Sequence, residues 1–236
     1  MISPDGKSAF DVYTAGAPGA PGVIVVQEWW GANDGIKAHA ARIAAAGYRV
    51  LVPDLYKGKL ALDAEEAHHN MSNLDFPAAA VELAQAAAHL KREGSPKVGI
   101  VGFCMGSALC LGAAAASADI VCAAPFYGVN YELFKPEDLL GKPVQGHVGQ
   151  KDGLEGFSDM NTMGMLENKL RAAGNSNAEV FVYEGVGHAF MNESPAPFAD
   201  FTARQAKMGD GFPPYDPKQA EFAWSRLVAF FDKHLK

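Results

Sequence analysis

Cysteine is scarce in this chain: only 3 of its 236 residues are cysteine. So few cysteines cannot form a disulfide framework in a chain of this length, and a reducing, cytoplasmic compartment is therefore expected. Long hydrophobic runs are also missing, because no stretch reaches the about 18 apolar residues that a membrane-spanning helix needs. The sequence starts without a basic segment followed by an apolar one, which argues against an export signal. We therefore expect no membrane partner.

Basic residues are in the minority, with 20 Lys and Arg against 27 Asp and Glu and a formal net charge of -7. Nucleic acid is therefore not an expected partner, because phosphate binding needs a basic surface. The sequence also lacks the His-Glu-x-x-His pattern, paired cysteine ligands and a Gly-x-Gly-x-x-Gly turn. We expect neither a metal nor a dinucleotide cofactor. A hydrophobic content of 49% excludes a disordered chain.

Short β-branched runs alternate with longer segments rich in alanine and leucine. The predicted strands are Ala9–Tyr13, Val23–Gln27, Tyr48–Val52, Val98–Gly102, Ile120–Ala124, Val144–Val148 and Val180–Tyr183. The predicted helices are Asp34–Ala46, Ala64–Met71, Asp75–Lys91, Met105–Ala116, Asp159–Ala173 and Pro217–Leu235. This alternation predicts one doubly wound α/β domain over residues 1–236, with a mostly parallel sheet.

One segment does not follow the pattern. Ser194–Pro214 is rich in proline and phenylalanine and has no clear periodicity. Loops of this length are uncommon inside compact domains and often act as lids or binding loops. The segment is therefore predicted to be an inserted loop or lid, and a surface insertion without a role is the alternative.

The sequence Gly102-Phe103-Cys104-Met105-Gly106 follows a buried strand and precedes an apolar helix. This is the strand–turn–helix context of a nucleophile elbow, with cysteine where serine usually stands. Side chains at Gly102 and Gly106 are expected to collide with the neighbouring strand and helix. A helix N-terminus favours thiolate over thiol, and we therefore predict that Cys104 is a catalytic nucleophile.

A nucleophile of this kind needs a base and a carboxylate that orients it, in the chain order nucleophile, acid, histidine. Asp152 comes just after the strand Val144–Val148, and His188 comes shortly after Val180–Tyr183. Catalytic groups of open α/β sheets lie at these carboxyl ends of strands. We therefore predict that Asp152 and His188 complete a Cys-His-Asp triad.

Other acids and histidines offer weaker alternatives. Asp159 and Asp54 are the rivals of Asp152, although the first could cap a helix and the second could hold a turn. Among the histidines, His147 lies inside a strand and is expected to be packed there. The remaining ones fall on polar helix faces or at the C-terminus: His39, His68, His69, His89 and His234.

Acyl transfer also needs donors for an oxyanion. The backbone N–H of Met105, after the nucleophile, is the first candidate. The second is the N–H of Trp29, in the loop after Val23–Gln27. Glu28 places a carboxylate beside this predicted pocket, with a salt bridge or a helix cap as its alternative role.

These motifs resemble the dienelactone hydrolase family (carboxymethylenebutenolidases) over nearly the whole chain. The shared motifs appear in the family's order: Gln27-Glu28-Trp29-Trp30-Gly31, Pro53-Asp54-Leu55-Tyr56, Gly102-Phe103-Cys104-Met105-Gly106, Tyr127-Gly128, the Asp152 loop and Gly187-His188-Ala189-Phe190. The resemblance implies an α/β-hydrolase fold and a lactone or activated ester substrate opened through a thioester. It also implies that Glu28 contacts the resting thiol and is displaced when substrate binds.

Family members that act on dienelactone hold the substrate carboxylate with two arginines. This sequence departs from the family at both positions. Asn192 stands at one of these positions, and the helix that carries the other has no arginine. Neutral asparagine cannot replace the bidentate pairing of arginine with a carboxylate. We therefore expect a neutral or larger ester or lactone, and we assign Trp30, Tyr127 and Asn192 to substrate binding.

Two other functions stay open. The same fold could bind a small molecule without turnover, although a complete triad argues against this. Cys104 could also be a redox centre, but it has no partner in a Cys-x-x-Cys pattern, and Cys110 is predicted to face away from it. The protein is expected to be a monomer or a homodimer.

Overall fold

A computed structural model describes residues 12–236, which form a seven-stranded sheet with helices on both faces. The strands are β1 (Val12–Ala15), β2 (Gly22–Val26), β3 (Arg49–Pro53), β4 (Val98–Phe103), β5 (Ile120–Phe126), β6 (Val144–Gly149) and β7 (Ala178–Tyr183). They lie in the order β1-β3-β2-β4-β5-β6-β7, with β1 antiparallel to β3 and the other pairs parallel. This is the mostly parallel, doubly wound sheet of an α/β-hydrolase fold, as predicted.

The helices follow the predicted segments closely. They are α1 (Asp34–Ala45), α2 (Ala64–Ser72), α3 (Phe76–Arg92), α4 (Met105–Ala116), α5 (Met160–Ala172), α6 (Phe201–Met208) and α7 (Pro217–Leu235), with a 3-10 turn at Pro136–Leu139. Polar side chains cap several N-termini, as where Asp75 accepts a hydrogen bond of 3.0 Å from the N–H of Ala78. None of the helices in this part of the chain is long and apolar enough to cross a membrane.

The central strands are buried on both faces because successive side chains point to opposite sides of the sheet. In β2, Ile24 and Val26 face the core under α3, α4 and α5, whereas Val23 and Val25 face the core under α1 and α7. This arrangement explains why these strands are continuous apolar runs in the sequence. The parallel strands also bring their carboxyl ends to one edge of the sheet, where the functional groups are expected.

Several strands begin or end one or two residues away from the sequence-based prediction, and one helix was not predicted. The first strand extends to Ala15, two residues beyond the predicted Ala9–Tyr13, and the beginning of that prediction lies outside the described residues. The segment 194–214 is not wholly a loop, because it contains α6. The side chain of Asp200 caps this helix at the N–H of Ala203, and Gly209 ends it with a φ of 92°. Its only buried residue is Arg204, so apolar periodicity could not reveal it.

Candidate active site

Cys104 occupies a strained turn between β4 and α4. Its backbone has φ 53° and ψ -120°, a conformation that costs non-glycine residues roughly 1–3 kcal/mol and persists where the surrounding structure enforces it. A Cβ on Gly102 would lie 1.9 Å from the carbonyl oxygen of Gly106, and one on Gly106 would lie 2.5 Å from that of Gln27. The predicted collisions at both glycines are confirmed, and they account for the Gly-x-Cys-x-Gly pattern.

The turn also places Cys104 in the wall of a cavity. The N–H of Cys104 donates a hydrogen bond of 3.0 Å to the carbonyl oxygen of Phe126, which ties the turn to β5. Cys104 is the only partly exposed cysteine, because Cys110 and Cys122 are fully buried. Burial raises the pKa of both buried thiols, so these two are poor nucleophiles.

Asp152 and His188 meet at the carboxyl ends of β6 and β7. Oδ2 of Asp152 lies 2.8 Å from Nδ1 of His188, and both side chains are buried. The other carboxylate oxygen, Oδ1, accepts hydrogen bonds from the N–H of Leu154 at 3.2 Å and from the hydroxyl of Ser158 at 2.8 Å. The aspartate is therefore anchored independently of the histidine, as a residue that orients an imidazole should be.

The second ring nitrogen of His188 points away from this anchor. Nε2 is buried and has no nitrogen or oxygen partner among the described residues, and the side chain near enough to form a hydrogen bond with the imidazole besides Asp152 and Ser158 is that of Cys104. Burial alone would lower the pKa of His188, but the neighbouring charges of Cys104 and Asp152 outweigh it and raise the pKa. A cationic imidazole is therefore favoured beside the sulfur, and Nε2 remains available for proton transfer.

Ser158 is a residue that sequence reasoning missed. Its hydroxyl lies 3.1 Å from Nδ1 of His188, the nitrogen that already contacts Asp152. Ser158 is fully buried and does not line the cavity beside Cys104. It therefore supports the acid–base pair and is not placed to act as a nucleophile. No sequence signal could have identified it, because its role depends on the folding of the loop after Asp152.

Glu28 follows β2 and is buried, with both carboxylate oxygens bound. Tyr127 donates its hydroxyl to Oε1 at 3.2 Å, and Nδ2 of Asn192 donates to Oε2 at 3.0 Å. Burial raises the pKa of Glu28; the hydrogen bond from Asn192 and the charges of His188 and Arg204 oppose this effect. These bonds hold the carboxylate to Tyr127 and Asn192, so its predicted contact with the resting thiol stays a prediction.

Tyr127 and Asn192, which the sequence assigns to substrate binding, lie outside the cavity beside Cys104. Neither residue lines the cavity beside Cys104, because the side chains of both are turned to Glu28. Asn192 instead lines a second cavity, which shares Glu28 with the first and also includes His39. Both residues hold a carboxylate in place, and their role in substrate binding stays a prediction. Trp30, the third predicted contact, does line the first cavity.

The alternative acids and histidines have structural roles. Asp159 caps α5 by accepting from the N–H groups of Asn161 and Thr162. Asp54 holds a turn through the N–H groups of Tyr56 and Gly58. His147 is stacked on Phe126 with a centroid distance of 3.9 Å and contacts the hydroxyl of Tyr183. These contacts match the structural alternatives weighed from the sequence. His39 differs, because it is buried on the inner side of α1, where its Nε2 lies 3.3 Å from Oδ1 of Asn192.

The cavity at the carboxyl edge of the sheet has a volume of about 570 Å³. Cys104, His188 and Glu28 all line it, together with the two predicted oxyanion donors, Met105 and Trp29. Met105 is the first residue of α4, where backbone N–H groups have no partner within the helix. The volume of the cavity lies within the usual range of small-molecule sites.

The segment 194–214 forms part of this cavity. Met208 and Phe212 line it, and the ring of Phe212 meets the ring of His188 edge-on at a centroid distance of 5.2 Å. The carbonyl oxygen of Gly211 accepts a hydrogen bond of 2.8 Å from the N–H of His188. The buried guanidinium of Arg204 donates to the carbonyl oxygen of Pro213 at 2.9 Å. The segment therefore contacts His188 directly.

Within residues 12–236, no group of three or more His, Cys, Asp or Glu side chains is placed to hold a metal ion.

The family model that matches this sequence covers residues 10–235 and describes the dienelactone hydrolase family. The chain belongs to this family.

Named relatives agree with this assignment. The chain is 32% identical to the "Protein usf" of Aquifex pyrophilus over 232 residues, which is 92% of this chain and 90% of that protein. It is 28% identical to the carboxymethylenebutenolidase of Pseudomonas putida over 199 residues, which is 79% of this chain and 82% of that enzyme. As a dienelactone hydrolase family member, the chain is a hydrolase of the ester and lactone class.

Solved structures share the fold. A dienelactone hydrolase-type protein from Klebsiella pneumoniae superposes with a TM-score of 0.73 at 26% identity, over 94% of this chain and 92% of that chain. A dienelactone hydrolase-like promiscuous phosphotriesterase from metagenomic libraries gives a TM-score of 0.72 at 20% identity, over 93% and 89%. At this lower identity the likeness concerns the fold.

Proposed function

We propose that this protein hydrolyses a lactone or an activated ester through a thioester on Cys104. The observation that carries this proposal is the geometry around His188, whose Nδ1 is held 2.8 Å from Asp152 while Nε2 is left unpaired. Burial opposes the charge on His188, but Cys104 and Asp152 outweigh it and raise the pKa of His188, so a protonated imidazole is favoured beside the sulfur. A thiolate is the reactive form of cysteine.

In the first half of the reaction, the sulfur of Cys104 attacks the carbonyl carbon of the substrate and forms a C–S bond. The N–H groups of Met105 and Trp29 stabilise the oxyanion of the tetrahedral intermediate. The C–O bond to the leaving group then breaks, and Nε2 of His188 gives its proton to the departing alkoxide oxygen. In a lactone, this oxygen remains attached to the acyl group through the opened ring.

In the second half, His188 takes a proton from water, and the resulting hydroxide adds to the thioester carbon. The C–S bond breaks, a carboxylic acid leaves, and Cys104 returns as a thiolate beside the protonated imidazole. Asp152 stabilises the imidazolium throughout without accepting its proton. The cycle consumes one water and needs no cofactor.

The test is turnover of p-nitrophenyl butyrate by the Cys104→Ala variant, with Cys122→Ala as the matched control. Cys122 is fully buried in β5, so its replacement is expected to leave the reaction in place. We expect Cys104→Ala to lose turnover and Cys122→Ala to keep it. We also expect mass spectrometry of acid-quenched wild-type enzyme to find the butyryl group on Cys104. Undiminished turnover by Cys104→Ala would overturn the proposal.

A Ser158→Ala variant separates the cysteine from the nearby serine. Because the hydroxyl of Ser158 contacts Asp152 and Nδ1 of His188, its removal should slow the reaction without abolishing the acyl adduct on Cys104. A butyryl group found on Ser158 of the wild-type enzyme, or turnover that survives Cys104→Ala but is abolished by Ser158→Ala, would assign the covalent step to Ser158 instead.

A further inference from the structure

The cavity beside Cys104 has walls that are mainly aromatic and aliphatic. They come from the loop after β2, the helices α2 to α4, the loops after β5 and β6, and the segment 194–214. The apolar side chains that line it are Trp29, Trp30, Met71, Phe76, Met105, Ala108, Val129, Leu154, Phe157, Ala189, Met208 and Phe212. A substrate gains binding energy here by burying apolar surface.

The charged side chains that line the cavity are acidic, apart from His188. Glu28 lies buried in the wall, and Glu132 is exposed at its edge. No lysine or arginine is found among the residues that line this cavity in the described chain. Arg204 is near enough for its charge to act on Glu28, but its guanidinium is bound to Pro213 and does not line the cavity.

A substrate carboxylate in this cavity would lose its water, and the only cation lining the cavity within the described residues is His188, whose charge is already balanced by Asp152 and which the proposed reaction uses. Burying an unpaired charge is costly, and two glutamates facing the same space add repulsion. An uncharged group of similar size meets neither obstacle. The walls therefore discriminate by charge.

We propose that the cavity takes uncharged esters or lactones with an apolar acyl group and excludes substrates whose acyl group ends in a carboxylate. This inference rests on the proposed function, since it concerns the same site. Met208 is the position at which selectivity can be changed, because it lines the cavity from the end of α6 and is half-buried there.

The experiment compares two chromogenic esters with the same leaving group, p-nitrophenyl valerate and p-nitrophenyl hemisuccinate. Their acyl chains are similar in length, but the second ends in a carboxylate. We expect the wild-type kcat/KM for the neutral ester to exceed that for the anionic one by at least about 100-fold, as for a buried charge left unpaired. A ratio near one, or a preference for the anion, would overturn the inference.

A Met208→Arg variant supplies the missing cation, and Met165→Arg is its control. Met165 lies on the exposed face of α5, outside the cavity, so it adds the same charge to the protein without adding it to the site. We expect Met208→Arg to reduce the preference for the neutral ester by at least about tenfold, and Met165→Arg to leave it unchanged. An equal change in both variants would attribute the effect to net charge and count against the proposal.

The two proposals fail in distinguishable ways. If neither ester gives an acyl adduct on Cys104, the proposed function itself is wrong. If both esters acylate Cys104 with similar kcat/KM, the thioester reaction stands and only the charge selectivity is refuted. Because the wild-type ratio is measured first, the inference is tested even if Met208→Arg fails to fold.

Discussion

Gly187, the residue before His188, packs against the turn at residues 211–213. A Cβ at this position would lie 2.1 Å from the carbonyl oxygen of Gly211 and 2.6 Å from Cδ of Pro213. Ordinary contacts begin at 3.4 Å, so the two backbones must separate by about 1.3 Å to accept a methyl group. A Gly187→Ala substitution therefore drives the segment 194–214 away from the loop that carries His188.

The magnitude follows from two effects. Overpacking of this kind costs about 1–3 kcal/mol of folding stability. The hydrogen bond from the N–H of His188 to the carbonyl oxygen of Gly211 is also stretched, which costs about 0.5–1.5 kcal/mol more. Since His188 is the next residue, its imidazole moves too, and a misplacement of about 1 Å can lower kcat/KM by roughly 100-fold.

The assay measures kcat/KM for p-nitrophenyl butyrate and the free energy of unfolding in urea, with Gly164→Ala as the control. A Cβ on Gly164, in α5, meets nothing within 4 Å, so alanine should stabilise the helix by about 0.5–1 kcal/mol and leave activity unchanged. If Gly187→Ala retains wild-type activity and stability, the segment does not position His188 and the reasoning is refuted.

Three further predictions concern the thiols, an internal histidine and the aspartate. Iodoacetamide should alkylate Cys104 alone in the folded protein, because Cys110 and Cys122 are buried with raised pKa values; peptide mapping that finds either of them labelled would contradict this. Burial lowers the pKa of His39 to about 4. As the pH falls from about 6.5 to 4, the unfolded chain therefore binds a proton at this residue while the folded chain does not. The free energy of unfolding falls by about 3 kcal/mol over this range. Urea unfolding across this range should show a weaker pH dependence for His39→Gln, and an unchanged slope would disprove the assignment. Asp152→Asn should lower kcat by roughly 10³–10⁴-fold while circular dichroism remains unchanged, and near-normal turnover would exclude an orienting role for the carboxylate.

The alternation of strands and helices and the burial of α4 could be predicted because both depend on apolar patterns along the chain. The elbow at Cys104 could be predicted for a local reason. A Cβ at Gly102 or Gly106 would lie only 1.9 or 2.5 Å from a carbonyl oxygen, so both positions require glycine. The helix α6 was missed because it buries an arginine and no apolar face, so its sequence resembles a loop.

The roles that depend on contacts between distant segments could not be predicted from residue types. Tyr127 and Asn192 are 65 positions apart, yet both donate to Glu28, and only the fold shows that their polar groups turn away from the cavity. Ser158 acquires its role from a loop whose path the sequence does not specify. Motif and spacing thus predict the reacting groups, whereas the residues that hold them emerge from the tertiary structure.

The two cavity residues supplied by the segment 194–214 differ in how freely they can change. Phe212 both lines the cavity and packs on the ring of His188, so a new side chain there alters substrate fit and reaction chemistry together. Met208 lines the same cavity from the last turn of α6. In evolution or in a directed library, substrate range can therefore drift at position 208 while turnover is preserved, whereas position 212 tolerates few replacements.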